Sequence, residues 1–286
     1  MGTVAAAHVM AGHPWAWHPH PWGWAAVLLV GGAYGLATGR TGAHPSRRQL
    51  ACLAASLATL AAALTWPLAD LARRWSVAAH LGSHVLLVLV VPGLFLLAVP
   101  EAMAIGVTAP VAVDRALHKL THPLAATLVF NAAVIGAHVP PVVDATLHNR
   151  LVHGMVHVGL VVSGALLWLT VLHLLPGGRR LGSGGRIGFL ALQTIVPNVP
   201  AAVLLFAKGP LYPGYGEGPR ALGMSPVLDQ QVGGVVVKFV ALTIIGGAAS
   251  VIFFRWIASQ GQDADGRPLT WIDVERELRR RKPPAA

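Results

Sequence analysis

Seven apolar stretches, none with an Asp or Glu in its interior, constrain this chain more than any other feature of its sequence. A helix needs about 20 apolar residues to cross the hydrocarbon layer of a bilayer, where its backbone groups must all be satisfied internally. The sequence therefore predicts an all-α, polytopic integral membrane protein, a bundle of seven transmembrane helices. The predicted spans cover residues 22–38, 50–67, 76–99, 121–139, 150–175, 187–207 and 232–255.

The charge content excludes a soluble globular domain. Only 11% of the residues are charged, against about 25% in an average soluble protein. The net charge of +10 could indicate nucleic-acid binding, but the basic residues lie between the apolar stretches and in the C-terminal tail, as topology signals do. We therefore expect the lipid bilayer as a partner and no nucleic acid. Cys52 is the only cysteine, so the sequence has no intramolecular disulfide and no CxxC motif.

The distribution of Lys and Arg predicts the orientation of the bundle. With the N-terminus outside and the C-terminus inside, fifteen of the 21 basic residues lie on the inner side, five lie outside, and Lys238 lies within a span. This N-out/C-in arrangement divides the chain into a His- and Trp-rich outer segment (1–21), a seven-helix membrane domain (22–257) and a basic cytoplasmic tail (258–286).

Two shorter segments are predicted to lie at the membrane surface. Residues 100–113 are apolar but short and interrupted by Pro110, which is typical of an interfacial or re-entrant piece. Residues 270–281 could form a helix at the inner surface, attracted to anionic lipid.

Five histidines are the strongest candidates for chemistry. His80 and His84, and likewise His153 and His157, are spaced i, i+4, which places each pair on one helix face. Both helices run from outside to inside, so each pair lies about 5–13 Å below the outer boundary at 1.5 Å per residue. His138 ends the fourth span on the same side. The spacing predicts that imidazoles from three helices converge at one depth.

Imidazole nitrogens suit copper and zinc, so these five residues, His80, His84, His138, His153 and His157, are the predicted metal ligands. The alternative is that each histidine is a hydrogen-bond partner between membrane helices. The N-terminal His8, His13, His18 and His20 could capture metal as a histidine-rich tract, or could be an ordinary polar segment.

Polar residues near the start of the last helix have two interpretations. Asp229, Gln230 and Gln231 could cap that helix and form its polar first turn, or could form a second shell that orients the imidazoles. Asn198 follows a proline that interrupts the sixth span, and together with Gln193 it is a predicted partner for the backbone carbonyls freed there. Asn198 is also a predicted second-shell residue of the histidine site.

Lys238 lies in the last of seven spans, where a rhodopsin carries its retinal-binding lysine. A Schiff base in the membrane needs a carboxylate counter-ion, and no span contains one. A snorkelling or hydrogen-bonded lysine is the preferred interpretation.

Several sequence blocks, occurring in a fixed order, resemble a known family. They are AHLGSHVLLVLVVP (79–92), HPLAATLVFNAAVIGAHVPP (122–141), LVHGMVHVGLVVSGALLW (151–168), PLYPGYG (210–216) and GMSPVLDQQVGG (223–234). The chain is similar to the CtaG proteins of Gram-positive type, which are required for assembly of caa3-type cytochrome c oxidase. The resemblance covers roughly residues 70–257.

The resemblance implies roles for individual residues. The two histidine pairs match the family's paired histidines, His138 with Pro140 and Pro141 matches its H-x-P-P segment, and residues 229–231 match its acidic-glutamine step. The chain departs from the family at Gly93, where a second proline is common, and at Val237 and Lys238, where Met-Trp is common.

The resemblance implies a membrane-embedded cytochrome c oxidase assembly factor in the bacterial plasma membrane, without enzymatic activity. It is expected to bind copper, as Cu(I) or Cu(II), through the outer-half histidines and to assist its delivery to an oxidase subunit. A homo-oligomer stays open. The alternatives are a b-type haem protein, in which imidazoles from different helices ligate the iron, and a transporter of metal or small solutes.

Overall fold

The computed structural model describes residues 12–176, 178, 180–260, 271, 272 and 275, and within this part the chain forms helices and no strand. The helices are α1 Pro21–Thr41, α2 Arg47–Leu64, α3 Leu68–Trp75, α4 Val77–Ala98, α5 Glu101–Thr108, α6 Val111–Leu120, α7 Pro123–His138, α8 Pro140–His148, α9 Arg150–Leu172, α10 Ser183–Phe206 and α11 Pro226–Gln260.

The predicted all-α fold is confirmed and several helices could span a membrane, but the count of seven spans and the N-out/C-in orientation are not confirmed. Within the described residues, four helices (α4, α9, α10 and α11) are long and apolar enough to cross a bilayer. The number rises to six if each of two bent pairs is one span, namely α2 with α3, bent by 41°, and α6 with α7, bent by 77°.

Two predicted spans are helical in the structure, but neither of these helices meets the requirements for crossing a bilayer on its own. The predicted span 121–139 is a helix of 16 residues, about 24 Å long, which is shorter than the hydrocarbon layer unless α6 extends it. The predicted span 22–38 is helical throughout, as part of the 21-residue α1, but α1 is not among the helices apolar enough to cross.

The segment 100–113 is mostly helical, because α5 and the start of α6 occupy it and Pro100 and Pro110 each precede a helix. Its position at the membrane surface stays a prediction. Most of the predicted tail helix (270–281) lies outside the described residues, and so does His8.

Local sequence signals explain where the central helices begin. The Ser76 side chain accepts a hydrogen bond from the Ala79 amide at the start of α4. Asn149 accepts from the Leu151 and Val152 amides at the start of α9. These caps satisfy amides that have no partner within their own helix.

The most buried of the spanning helices is α4, which packs against both α9 and α11. Small residues permit this close approach. A Cβ on Gly233 of α11 would lie 2.6 Å from Leu81, and a Cβ on Gly164 of α9 would overlap the Val88 carbonyl. The indole of Trp168 on α9 donates to the Leu89 carbonyl at 2.8 Å. The α4 helix is therefore held at the centre of the bundle with little freedom to shift.

Candidate functional site

The five predicted histidines come together at one end of the bundle, and we call them the histidine cluster. His80 and His84 lie on the first turns of α4, His153 and His157 on the first turns of α9, and His138 ends α7. Ring centroids within a pair are 4.2 Å apart on α4 and 4.1 Å apart on α9. Between helices, His84 lies 5.4 Å from His157 and 5.6 Å from His138, and His80 lies 6.4 Å from His153.

The imidazoles of the cluster are buried and largely unpartnered. His80 and His84 are 1% exposed and His138 is 9% exposed, while the α9 pair is half-buried. Both ring nitrogens of His80 and of His84, and one nitrogen of each of the other three, are buried without a hydrogen-bond partner. The carbonyl of Ala72 lies close to the His80 ring, and Nδ1 of His138 donates to the Val134 carbonyl. A buried polar group without a partner costs about 1–3 kcal/mol, so this concentration is unusual for a purely structural core.

The donor set suits a metal ion, although the side chains do not yet surround one. Imidazole nitrogens are ligands for copper and zinc. Among the described residues, no three His, Cys, Asp or Glu side chains are arranged around a common metal-sized point. Ligation by the cluster therefore requires side-chain rotation. The predicted role of the five histidines as metal ligands stays a prediction.

Asp229 holds the helix that carries His80 and His84. Its carboxylate is fully buried and accepts from the Ser76 hydroxyl at 2.6 Å, the Val77 amide at 2.6 Å and the Ala78 amide at 3.4 Å. A carboxylate at a helix N-terminus satisfies unpaired amides and complements the helix dipole. Asp229 thus caps α4 rather than its own helix, one turn before His80, and contacts no imidazole directly.

The other predicted second-shell residues have different surroundings. Gln230 is buried, accepts from the Leu211 amide at 2.8 Å and donates to the Gly209 carbonyl at 3.0 Å, so it fastens the preceding loop to α11. Gln231 is half-buried and has no part in these bonds. Asn198 lines a cavity of about 80 Å³ that also touches His84, His138 and Lys238.

Two tyrosines that the sequence analysis did not assign to the site cover the histidine cluster. The Tyr212 hydroxyl donates to the His138 carbonyl at 2.8 Å, and the Tyr215 hydroxyl donates to the Ala72 carbonyl at 2.6 Å. The Tyr215 ring lies 6.2 Å from His80. The tyrosines in PLYPGYG were the available signal, but only the folded chain shows which carbonyls they reach. We call residues 209–216 the tyrosine loop.

Burial extends the pH range over which both phenols stay protonated. It raises the pKa of Tyr212 to about 12 and, together with the nearby Asp229 carboxylate, raises the pKa of Tyr215 well above 10. Both hydroxyls therefore stay donors beyond the pH at which an ordinary tyrosine ionises, and the tyrosine loop stays fastened over the cluster in that range.

The remaining candidates lie apart from the cluster. His18 Nδ1 and His20 Nε2 each lie 3.2 Å from an Asp70 carboxylate oxygen, and the His13 side chain accepts from the Trp15 amide. Gln193 bonds Asn131 and Thr127 of α7, so it links two helices as well as bonding its own helix at the Phe189 carbonyl.

Comparison with known proteins gives one match. A family model described as cytochrome c oxidase caa3 assembly factor (Caa3_CtaG) matches residues 32–259, a range that contains the histidine cluster, Asp229 and the tyrosine loop. No curated protein and no solved structure matches the chain significantly.

Proposed function

Because the chain belongs to the cytochrome c oxidase caa3 assembly factor family, we propose that it matures this oxidase by binding copper at the histidine cluster and passing it to an oxidase subunit. The copper is cargo. The site of action is the bacterial cell membrane, in keeping with the long apolar helices of the chain.

The unpartnered imidazole nitrogens carry this proposal. Buried polar atoms in proteins almost always have partners, and here a group of unsatisfied ring nitrogens, contributed by three helices, points to a missing one. A metal ion satisfies several imidazoles at once, whereas a helix–helix hydrogen bond satisfies only one donor and one acceptor. Copper is the metal that an oxidase assembly factor would handle, and it binds imidazole well.

Histidine pairs on facing helices suit release as well as capture. Histidine side chains must rotate before three donors can close around one ion, so the described residues form no preformed coordination shell. An ion held in this way can exchange its ligands one at a time with those of a partner. Such transfer is a ligand exchange and requires no covalent step.

Positioning residues keep the pairs facing each other. Asp229 holds the start of α4, and Tyr212 holds the end of α7 at His138. Neither would ligate the ion in this proposal. Their function is to maintain the spacing between helices that the histidines require.

Copper stoichiometry tests the proposal. The full chain, purified in detergent, is incubated with Cu(I) under reducing conditions, desalted, and analysed for copper per protein. The double variant His80→Ala/His153→Ala should retain about one tenth of the wild-type copper or less. Loss of a residue behind the ligands already lowers metal affinity about tenfold, and loss of the ligands themselves should lower it further. His148→Ala is the matched control, because His148 is exposed, lies on α8 and is outside the cluster.

The outcomes separate copper binding at the cluster from haem binding there. Equal copper in wild type and the double variant, at unchanged helical content, would contradict the proposal. A Soret band in the purified protein would instead indicate haem ligated by these imidazoles.

A further inference from the structure

A groove lies at the end of the bundle opposite the histidine cluster, between α4, α9 and α11. It has a volume of about 490 Å³, in the range of sites for small organic ligands. The groove reaches Leu97 on α4, which follows His84 by thirteen residues and therefore lies about 20 Å further along the helix. This site is thus separate from the cluster. Because three arginines line it, we call it the arginine groove.

The three arginines come from three helix ends that meet at this side of the bundle. Arg48 is the second residue of α2, Arg186 lies in the first turn of α10, and Arg255 lies near the end of α11. In the part of the chain that the structure describes, no carboxylate forms an ion pair with any of them. Among the described residues, these positive charges therefore have no carboxylate partner.

Arg186 carries an unpartnered buried donor at this end of the bundle. Its Nε is buried and has no hydrogen-bond partner, and its guanidinium lies close enough to Arg255 for the two charges to repel. A buried donor on a charged group is costly when unpaired. Guanidinium groups bind phosphate through parallel hydrogen bonds, so a phosphate between Arg186 and Arg255 would remove both penalties.

Apart from Ser183 and Ser259, the remaining walls of the groove are apolar. They are formed by aliphatic side chains of α4 and α11 and by two tryptophans, among them Leu94, Leu97, Ile244, Trp168 and Trp256. Along α11 the groove extends from Arg255 back to Ile244, about 16 Å at 1.5 Å per residue. Apolar side chains form no hydrogen bond or ion pair with a free phosphate ion, but they can pack against a hydrocarbon chain.

The side chains around the groove also open towards lipid. Leu97 is 46% exposed and Val251 is 52% exposed, although both are apolar and lie on helices that can span a bilayer. Trp256, at the same end, is 37% exposed, and tryptophan favours the headgroup level of a membrane. Lipid can therefore enter the groove from the side.

We propose that the arginine groove binds one anionic phospholipid, with its phosphate against Arg186, Arg255 and Arg48 and an acyl chain along the apolar wall. The arginines complement the negative charge of the phosphate, and the apolar wall complements the acyl chain. Basic pockets between membrane helices bind anionic lipid headgroups in this manner. The lipid would fasten the ends of α2, α10 and α11, where the described residues form no ion pair with these arginines. This inference is independent of copper handling, since no histidine of the cluster lines the groove.

Retained lipid provides the test. The full chain is reconstituted into bilayers of equal phosphatidylglycerol and phosphatidylcholine, extracted in mild detergent, and analysed by native mass spectrometry for bound lipid. Wild type should keep one phosphatidylglycerol in preference to phosphatidylcholine. Arg186→Gln and Arg255→Gln should each lower its retention about tenfold, because each removes charge-assisted bonds to phosphate. Arg47→Gln is the matched control, since Arg47 precedes Arg48 but does not line the groove.

Two further arms distinguish a phospholipid from free phosphate and guard against misfolding. Ala248→Phe fills the groove without altering a charge and should also displace the lipid, whereas an excess of inorganic phosphate should not. Helical content and thermal midpoint are measured for every variant. Displacement by inorganic phosphate alone, equal retention in Arg47→Gln and Arg186→Gln, or unchanged retention in Ala248→Phe would each overturn the proposal.

Discussion

The Asp229 carboxylate accepts a hydrogen bond from the Ser76 hydroxyl at 2.6 Å, although 153 residues separate the two along the chain. The same carboxylate accepts from two amides at the start of α4. The first turn of one central helix is thus fixed by the first turn of another. His80 lies one turn beyond this junction, so the placement of the α4 histidines depends on a residue that touches none of them.

Replacing Asp229 should therefore destabilise the protein strongly. Asp229→Ala leaves a hydroxyl and the Val77 amide buried without an acceptor, which we expect to cost about 2–4 kcal/mol. The measurement is the thermal midpoint of the purified chain in detergent. Glu217→Ala is the control, because Glu217 is exposed and pairs only with Arg220 on the surface. A similar midpoint in both variants would show that the cap is not important.

The tyrosine loop should open when its hydroxyl bonds are removed. Tyr212→Phe and Tyr215→Phe each delete one buried bond to a carbonyl, worth about 0.5–1.5 kcal/mol. Hydrogen–deuterium exchange of residues 209–216 should accelerate in both variants. Tyr34→Phe is the matched control, since the Tyr34 hydroxyl also donates to a carbonyl, that of Ala98, but at the other end of α4. Unchanged exchange in the loop variants would contradict its role as a fastened cover.

Helix packing predicts opposite outcomes for two glycines on α9. Gly164→Ala places a methyl group against the Val88 carbonyl, so α9 must move away from α4, and we expect a loss of stability of about 3 kcal/mol or more or a failure to fold. Gly159→Ala meets nothing within 4 Å and should stabilise the helix by about 0.5–1 kcal/mol. Thermal unfolding of the two variants compares them directly. Equal effects would show that close packing at Gly164 is not required.

Alkaline pH should loosen the fold through the buried tyrosines. The folded-state pKa of Tyr212 is raised to about 12, while an unfolded tyrosine titrates near 10. The unfolded state therefore loses its proton first, so this contribution to stability is complete below about pH 10 and declines as the pH rises towards 12. Thermal midpoints measured across this range should fall with a shallower slope in Tyr212→Phe than in wild type. An identical slope in the two proteins would argue against a buried, protonated phenol.

Features that depend on neighbouring residues could be predicted well from the sequence. The predicted span 76–99 corresponds to α4, Val77–Ala98, because an uninterrupted apolar run and a serine cap define a helix locally. The span count was less predictable, since hydropathy does not report the 77° bend between α6 and α7, which lies directly before Pro123.

The interpretation of Asp229 shows the same limit. Its position in the first turn of α11 fitted a cap of that helix, and the structure instead directs its carboxylate to α4. Tyr212 and Tyr215 entered the sequence analysis only as part of the PLYPGYG block. Nothing in that pattern specifies the carbonyls of His138 and Ala72 as their acceptors.

The sequence by itself determined that this chain is a helical membrane protein with two histidine pairs, each on one helix face, because hydropathy and the 3.6-residue period act over a few neighbouring residues. Only the tertiary structure decided that the two pairs face each other, that His138 joins them and that Arg48, Arg186 and Arg255 gather at the opposite end. These relationships join residues far apart in the chain. They depend on which helices are neighbours and on how closely those helices pack. Small residues such as Gly164 and Gly233 permit the close packing, but no local pattern specifies which helices become neighbours.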